Sequence, residues 1–499
     1  MPRRYILAID QGTTGTTVIV FDEQGGIKSR MYQEFRQYYP QPGWVEHDAL
    51  EIWEGTTSLI SLALAELPKP AQLAAIGITN QRETVVLWDR KTGLPVTKAI
   101  VWQCRRTASL CDELKAGGLE PLFQEKTGLV LDPYFSGTKL KWLFDQRPDL
   151  KKRAQQGELA FGTIDSWLIY KLTGGKRHVT DYTNASRTLL FNIAELKWDE
   201  ELLEILAVPA EILPEVVSSS EVYGETARCE NLPAGIPVAA AAGDQQAALF
   251  GQACFQSGMA KATFGTGAFM LMNTGPDLIR SKKGLLTTIA WGLDGKIEYA
   301  LEGSVFVAGA AVQWLRDEMQ IVEYAAQTEA MAQAVPDTNG IYFVPAFVGL
   351  GAPHWDPYAR GAIVGISRGV NRNHVVRAAL EAVVYQTKEV LDVMAAEAKL
   401  PITELRVDGG VSVNNFICQF LADMAGVRVQ RPRVFETTAL GAAFLAGLAV
   451  GVWRSQEDLK KTWQAERIYA PAFTKAEQER LFAGWQKALG RAKNWINPE

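Results

Sequence analysis

Two stretches about half a chain apart follow one plan, and that echo limits the possible folds more than any other feature. YILAIDQGTTGTTVIVFD, residues 5–22, reads as strand, Gly/Thr turn, strand, with Asp10 closing the first strand; MAKATFGTGAFMLMNTG, residues 259–275, reads the same way. A hairpin around a glycine turn is common, so the echo counts only together with its surroundings. Those surroundings alternate strand and helix signals. Ile76 to Thr79 supplies another strand, and Asp48-Ala-Leu-Glu51 opens a helix as a capping box with Asp48 as cap. Leu50, Trp53, Thr57, Ile60, Leu64 and Leu67 then recur at helical spacing, a core-facing stripe. The expectation is an α/β chain of two similarly built domains, since 499 residues exceed one ordinary core. The boundary is expected just after Asp244, giving domains 1–248 and 249–499.

Asp244 sits in IPVAAAAGDQQAALFGQ, residues 236–252, where a short apolar strand ends abruptly on a carboxylate beside glycine. A single poised base is what phosphorylation of a hydroxyl needs, and Asp10 and Asp244 read as two poles of one active site. A Gly/Thr turn can aim backbone N–H groups and hydroxyls at one point, an anion nest suited to a triphosphate tail. Gly12, Thr13 and Thr14 would hold that tail from one side, Thr266 and Gly267 from the other. Asp10 stands where a carboxylate can hold Mg²⁺, a cation that takes few protein oxygens besides phosphate and water. Taken singly, each loop fits an ordinary tight turn equally well. Downstream, ELRVDGGVSVNNFICQFLADMAG, residues 404–426, reads as a strand ending at Asp408-Gly409-Gly410 and then a helix whose N-terminus favours phosphate or polar ring atoms. In TTALGAAFLAG, residues 437–447, Gly441, Ala442, Ala443 and Gly447 read as the face of a close helix–helix contact.

Other chemistries lack their anchors. There is no G-x-x-x-x-G-K-[ST], no G-x-G-x-x-G after a strand and no H-R-D loop, so a nucleotide must be held by distributed loops. The formal charge of -5, with signs mixed along the chain, offers no basic stripe for nucleic acid. Cys104, Cys111, Cys229, Cys254 and Cys418 are scattered and odd in number, which fits reduced thiols and a cytoplasmic protein. The start carries Arg3 and Arg4, but Asp10 interrupts the apolar run, so a strand is expected and not a signal peptide. LGAAFLAGLAVGVW, residues 440–453, falls short of the ~18 residues of a membrane span. His47, His178, His354 and His374 show no metal-ligand spacing and are read as structural or surface residues.

Two longer segments carry a family resemblance. YFSGTKLKWLFDQ, residues 134–146, with Tyr134, Lys139, Trp142 and Gln146, and GAIVGISRGVNRNHVVRAALE, residues 361–381, resemble the two signatures of the FGGY carbohydrate kinases, and the likeness runs nearly end to end. ITNQRE, residues 78–83, and IVWQCRRT, residues 100–107, resemble the branch that phosphorylates glycerol and not the pentulose branch. The resemblance implies the actin-like ATPase (ribonuclease H-like) fold, two domains around a deep cleft, with ATP and Mg²⁺ as cofactors and a homodimer or homotetramer as the assembly. It implies that Arg82, Glu83, Trp102, Tyr134, Asp244, Gln245 and Phe269 contact glycerol, and that Asp244 is the base. Around the nucleotide it implies Thr14, Thr266, Gly309, Gln313, Gly410 and Asn414, with Asp10 and Asp244 on the Mg²⁺ side. Without it, Arg82 and Glu83 fit a solvated pair and Trp102 fits plain core. The alternatives are a kinase for another small polyol or a ketose, and a nucleotide-switched actin-like protein.

Two departures from that pattern stand out. Many members of the branch carry arginine three residues after the paired threonines of the first loop, where this chain has Thr17. Some bacterial members are inhibited by fructose 1,6-bisphosphate through a Gly-x-Arg loop; here the stretch reads ENLPAGIPVAA, residues 230–240, with Gly235 in the arginine's position, so no such inhibition is expected. The histidine whose phosphorylation activates certain members has no counterpart in that loop.

Overall fold

A computed structural model of the chain describes residues 5–67, 73–228 and 232–496; Arg3, Arg4, Cys229, Glu230 and Asn231 lie outside the described residues. Two large mixed sheets follow one another along the chain. The first is built from β1 (Tyr5–Gln11), β2 (Gly15–Asp22), β3 (Ile27–Glu34), β4 (Leu73–Asn80), β5 (Ser220–Glu225) and β6 (Pro237–Gly243), in the order β5-β6-β4-β1-β2-β3. The second is built from β7 (Met259–Phe264), β8 (Ala268–Gly275), β9 (Leu286–Leu293), β10 (Lys296–Val305), β11 (Glu404–Asp408), β12 (Val429–Pro432) and β13 (Ala465–Tyr469), in the order β9-β10-β8-β7-β11-β12-β13.

The echo seen in the sequence extends to topology. In each sheet an antiparallel meander, β1-β2-β3 or β7-β8-β10, joins two strands parallel to its first member, β4 and β6 or β11 and β12. Parallel central strands are covered on both faces and therefore read as near-continuous apolar runs, which is why Ile6, Leu7, Ala8 and Ile9 are all buried and only Asp10 of β1 reaches the edge of the core.

Register then fixes where the acids stand. Gln11 pairs with Asn80, and Asn80 with Gly243, so β1, β4 and β6 end level with one another. Asp244 opens helix α2 (Asp244–Gly251) one residue later. With parallel strands about 4.8 Å apart, the carboxyl ends of β1 and β6 lie roughly 10 Å apart on either side of β4.

The helix from Ala49 to Ala65 starts where expected, Asp48 Oδ1 accepting from the Leu50 N–H at 2.9 Å. Glu51 does not close the reciprocal half of the box; it accepts from the Tyr38 hydroxyl. Thr57, Ile60, Leu64 and Leu67 of the expected stripe are buried, joined by Ile52, Thr56, Leu59 and Ala63, while Leu50 and Trp53 are half-buried at the margin. The helix expected directly after Gly410 begins later. Gly409, at φ +85, turns the chain, residues 410–413 make one 3-10 turn, and the helix runs from Asn415 to Ala425 with Asn414 as cap. No side chain fits at 409, because a Cβ there would stand 2.3 Å from the Phe264 carbonyl oxygen.

Helix α3 (Thr437–Ala449) comes from the second half but lies on the first sheet. A Cβ on Gly77 of β4 would stand 2.2 Å from the Ala442 carbonyl oxygen. It also meets α2 backbone to backbone, since a Cβ on Gly441 would stand 1.9 Å from the Ala247 oxygen and one on Gly251 would stand 1.9 Å from the Thr437 oxygen. Among the described residues no helix is long and apolar enough to cross a membrane.

Gly441→Ala is expected to destabilise the protein by about 2 kcal/mol in urea unfolding, because backbone on both helices must move apart. Gly490→Ala, in a helix where an added Cβ meets nothing within 4 Å, is expected to stabilise by about 0.5–1 kcal/mol.

Candidate active site

Arg82, just past the end of β4, organises a buried charge cluster. Its Nε lies 3.1 Å from Asp244 Oδ1, its Nη1 donates to Glu302 Oε2 at 2.6 Å and to Gln246 Oε1 at 3.1 Å, and its Nη2 donates to Glu302 Oε1 at 3.0 Å and to the Tyr134 hydroxyl at 3.4 Å. Arg187 completes the cluster, with Nε donating to Glu83 Oε1 at 2.7 Å and Nη2 to Glu302 Oε1 at 3.1 Å. The side chains of Arg82, Glu83, Arg187 and Glu302 are 2 % exposed or less. Arg82 and Glu83 are therefore not a solvated pair. Two cations and two anions balance one another out of water, and Asp244, 34 % exposed, is the member left facing outward.

Burial works against a charged Glu302, but Arg187 and Arg82 outweigh it and draw the carboxyl down to about 2. Burial raises Glu83 above the usual carboxylate range despite both arginines. Glu83 also takes φ +63, a left-handed conformation that a non-glycine residue adopts only at a cost of order 1–3 kcal/mol. The Arg187 pair and a hydrogen bond from Ser136 Oγ to the Glu83 carbonyl, 2.9 Å, hold it there.

Asp244 Oδ1 also receives the N–H of Gln245 at 2.7 Å; among the described residues Oδ2 has no hydrogen-bond partner. The Gln245 side chain is held by Lys261 of β7, a fully buried ammonium that donates to Gln245 Oε1, to Thr263 Oγ1 at 2.9 Å and to the Phe269 carbonyl at 3.5 Å. Burial pushes Lys261 down to about 8, opposed by Asp408, Asp244 and Glu302. Lys139 anchors the Tyr134 segment by donating to the carbonyls of Pro133, Tyr134 and Phe135. Trp102 is no plain core residue. Half-buried, it packs edge-on to Tyr134 at 5.4 Å and donates from Nε1 to Thr13 Oγ1 at 2.9 Å.

The first Gly/Thr turn is braced from behind. Gln11 and Gln81 donate to the Gly12 carbonyl at 2.8 and 3.1 Å, Gln37 donates to that of Thr13 at 3.0 Å, and the Phe35 N–H donates to that of Thr14 at 3.2 Å. His47 belongs to this brace, 2.6 Å from Gln37 Oε1 through Nε2 and 3.3 Å from Gln81 Nε2 through Nδ1. Gln37 Nε2 is already spent on Thr13, so His47 carries its proton on Nε2 and accepts at Nδ1; burial, which pushes it down to about 4, keeps it neutral. With the turn's carbonyls turned inward, the N–H groups of Thr13 and Thr14 have no partner among the described residues.

The second turn is built likewise. Thr266 O accepts from Ala308 N and Ala310 N, and Gly265 O from Gly309 N. Gly309 opens the helix Gly309–Asp317, and a Cβ there would lie 2.6 Å from the Gly265 oxygen and 3.2 Å from Val411. Thr266, Gly267, Gly309 and the turn at Gly410 are thus brought together. Gln313 is exposed one helical turn along. The Asn414 side chain is spent on structure, accepting from the Ile417 N–H and donating to Thr328. Asp408, at the end of β11, accepts from Gln252 Nε2 and Thr437 Oγ1, both at 2.7 Å.

Asp10 is pushed up to about 7 by burial, then by Asp244 and Glu436, with Arg30 opposing. Thr17 stands directly across from it in the β1–β2 register. Arg30 shares that sheet face, opposite Ile19, and pairs with Glu436 at 2.7 Å. A carboxyl whose pKa is raised by burial and by neighbouring acids is one that a bound cation would ionise. Glu302, Arg187, Lys261 and the His47 brace were not anticipated from the sequence, where nothing local marks them out.

Comparison with known proteins shows the family and the fold. The model of the FGGY family of carbohydrate kinases, N-terminal domain, matches residues 5–251, and that of the C-terminal domain matches residues 260–450. The chain is 57 % identical over 493 residues to glycerol kinase 2 of Thermotoga maritima, covering 99 % of each. It is 58 % identical over 493 residues to the glycerol kinase of Caldanaerobacter subterraneus subsp. tengcongensis, again covering 99 % of each. The crystal structure of Plasmodium falciparum glycerol kinase with ADP superposes with a TM-score of 0.94 at 36 % identity, covering 99 % of both chains. A gluconate kinase from Lactobacillus acidophilus shares the fold, with a TM-score of 0.86 at 24 % identity over 98 % of this chain and 97 % of that one.

Glu302→Gln is expected to destabilise the fold by about 3–5 kcal/mol in urea unfolding, since it strands two buried arginines. Because the folded pKa of Glu302, about 2, lies below its ordinary 4.5, its contribution is fully present above pH 4.5 and is lost as pH falls toward 2. The difference between wild type and variant should shrink over that window.

Proposed function

Since the chain belongs to the FGGY family of carbohydrate kinases and has their two-domain, actin-like α/β fold, we propose that it transfers the γ-phosphoryl group of ATP to a terminal hydroxyl of glycerol, giving sn-glycerol 3-phosphate for glycerol catabolism. Full-length relatives at 57–58 % identity that are glycerol kinases support this acceptor. The division of labour we infer gives residues 1–248 the acceptor and the first phosphate turn, and residues 249–499 the rest of the nucleotide. The four described cysteines, Cys104, Cys111, Cys254 and Cys418, are free and buried, which supports a reducing compartment.

One observation carries the mechanism: Asp244 has one oxygen fixed by Arg82 and its own Gln245 N–H, and the other unpartnered among the described residues. A fixed, half-exposed carboxylate with a free lone pair is a base aimed at one place. Asp244 Oδ2 takes the proton of a terminal hydroxyl as that oxygen attacks the γ-phosphorus in line and the β–γ bridging bond breaks. Trp102, Tyr134 and Phe269 cover the carbon face of the acceptor. The Arg82 cluster cannot turn away to satisfy itself elsewhere, so an analogue lacking a hydroxyl leaves buried polar groups stranded. The unpartnered N–H groups of Thr13 and Thr14, with Thr266, Gly267 and Gly309 opposite, receive the phosphates. Gln313, Gly410 and Asn414 would flank the rest of the nucleotide, Asn414 through its backbone because its side chain is committed. Asp10 and Asp244 are the carboxylates that would hold Mg²⁺, which when bound neutralises phosphate charge.

Incubation with glycerol and ATP-Mg²⁺, followed by phosphorus NMR, should show glycerol 3-phosphate and ADP. Asp244→Asn should retain nucleotide binding by calorimetry while kcat falls by about 10²–10⁴; turnover near wild type would remove Asp244 from the base's role. Fructose 1,6-bisphosphate should leave the rate unchanged, Gly235 standing where the inhibitor's arginine would be.

A further inference from the structure

The role of Lys261 extends past neutralising charge. It lies mid-strand in β7, with no exposed surface, and reaches across from the second sheet to Gln245 in the first turn of α2. An ammonium has three N–H donors and no acceptor. Here the donors meet Gln245 Oε1, Thr263 Oγ1 and the Phe269 carbonyl, so all three are spent.

This settles a choice that a glutamine otherwise leaves open. An amide side chain can present its oxygen or its NH₂ to a ligand, and the two orientations differ by a half-turn that its neighbours decide. With Oε1 committed to a pure donor, Gln245 can present only its NH₂. Among the described residues that group has no hydrogen-bond partner, although Gln245 is only 9 % exposed. The NH₂ is not among the sealed-off polar atoms, so it faces accessible space, and it belongs to the residue that follows Asp244 in the first turn of α2.

We propose that Lys261 is a positioning residue that locks Gln245 as a hydrogen-bond donor, so that the acceptor hydroxyl receives a hydrogen bond from Gln245 and must direct its own proton to Asp244. The proposal rests on the reading of Asp244 as base given above. A hydroxyl has one proton to place. If Gln245 offers N–H to its oxygen, the remaining acceptor is Asp244 Oδ2, and the lone pair that attacks phosphorus is set by the same two contacts. The O–H bond breaks toward Asp244, the O–P bond forms, and the bond to the β-phosphate oxygen breaks with ADP leaving. Were Lys261 absent, the amide could turn and present Oε1, a second acceptor competing for the proton. Glycerol would still bind, through a hydroxyl bonded to the wrong partner.

The signature is therefore a loss in turnover more than in binding. In steady-state assays with glycerol and ATP-Mg²⁺, Lys261→Met should lower kcat by about tenfold or more while the KM for glycerol stays within about threefold of wild type. Gln245→Glu keeps a partner for the Lys261 ammonium, and so keeps the fold, but offers acceptors only; its kcat should fall at least as far. A folded Lys261→Met with kcat within about threefold of wild type, a KM that rises in step with the fall in kcat, or wild-type turnover in Gln245→Glu would each overturn the proposal. If Lys261→Met does not fold, Gln245→Glu decides alone. Should the wild-type protein form no product from glycerol, the functional reading fails; should it do so while both variants match it, only the role of Lys261 fails.

Discussion

Four charges removed from water hold this site together. Arg82, Arg187, Glu83 and Glu302 are buried, and each would be severely penalised alone. Their mutual pairing decides several things at once. Arg82 and Arg187 come from the first half of the chain and Glu302 from the second, so the bidentate contact of Arg82 with Glu302 ties the two sheets at the depth of the acceptor site. The same pairing holds Glu83 in a conformation it would not otherwise take, and leaves Asp244 as the one carboxylate of the group with an oxygen to spare. In the proposed mechanism, a rigid charge cluster beside a carboxylate with one free oxygen favours discrimination among hydroxylated acceptors.

That cluster could not form without the strand register beneath it. β1, β4 and β6 end at the same level, which brings Asp10, the Gln81-Arg82-Glu83 turn and Asp244 to one edge. Close approach of backbone sets the rest of the frame. Gly77, Gly251 and Gly441 let a helix from the second half lie on the first sheet, so the two halves share a core as well as a salt bridge.

The legible part of this architecture was local. Asp10 and Asp244 announce themselves because an apolar strand stops on each, and both Gly/Thr turns stand out for their composition. Glu302 lies in YALEGSV and Lys261 in MAKATF, each the one charged residue of its stretch, and their importance comes from partners 220 and 16 residues away. No periodicity encodes such pairings. Asn414 shows the reverse case, a residue expected at a ligand whose side chain is spent on capping a helix. The helix after Gly410 began late for a similar reason: Gly409 was read as a point of ligand approach, whereas its positive φ also inserts a turn before the helix can start.

The residues proposed for the acceptor and those proposed for the phosphates are not separate modules. Trp102, on the acceptor side, donates to the hydroxyl of Thr13 in the first turn. Lys261, behind Gln245, donates to Thr263 and to the Phe269 carbonyl, the pair of residues that face each other across the hairpin closing on the second turn. Trp102 thus reaches the first Gly/Thr turn through one hydrogen bond, and Lys261 reaches the strands flanking the second through two. If the proposed assignment holds, the two substrates would sit on walls that already share hydrogen bonds, before any movement of one domain against the other is considered.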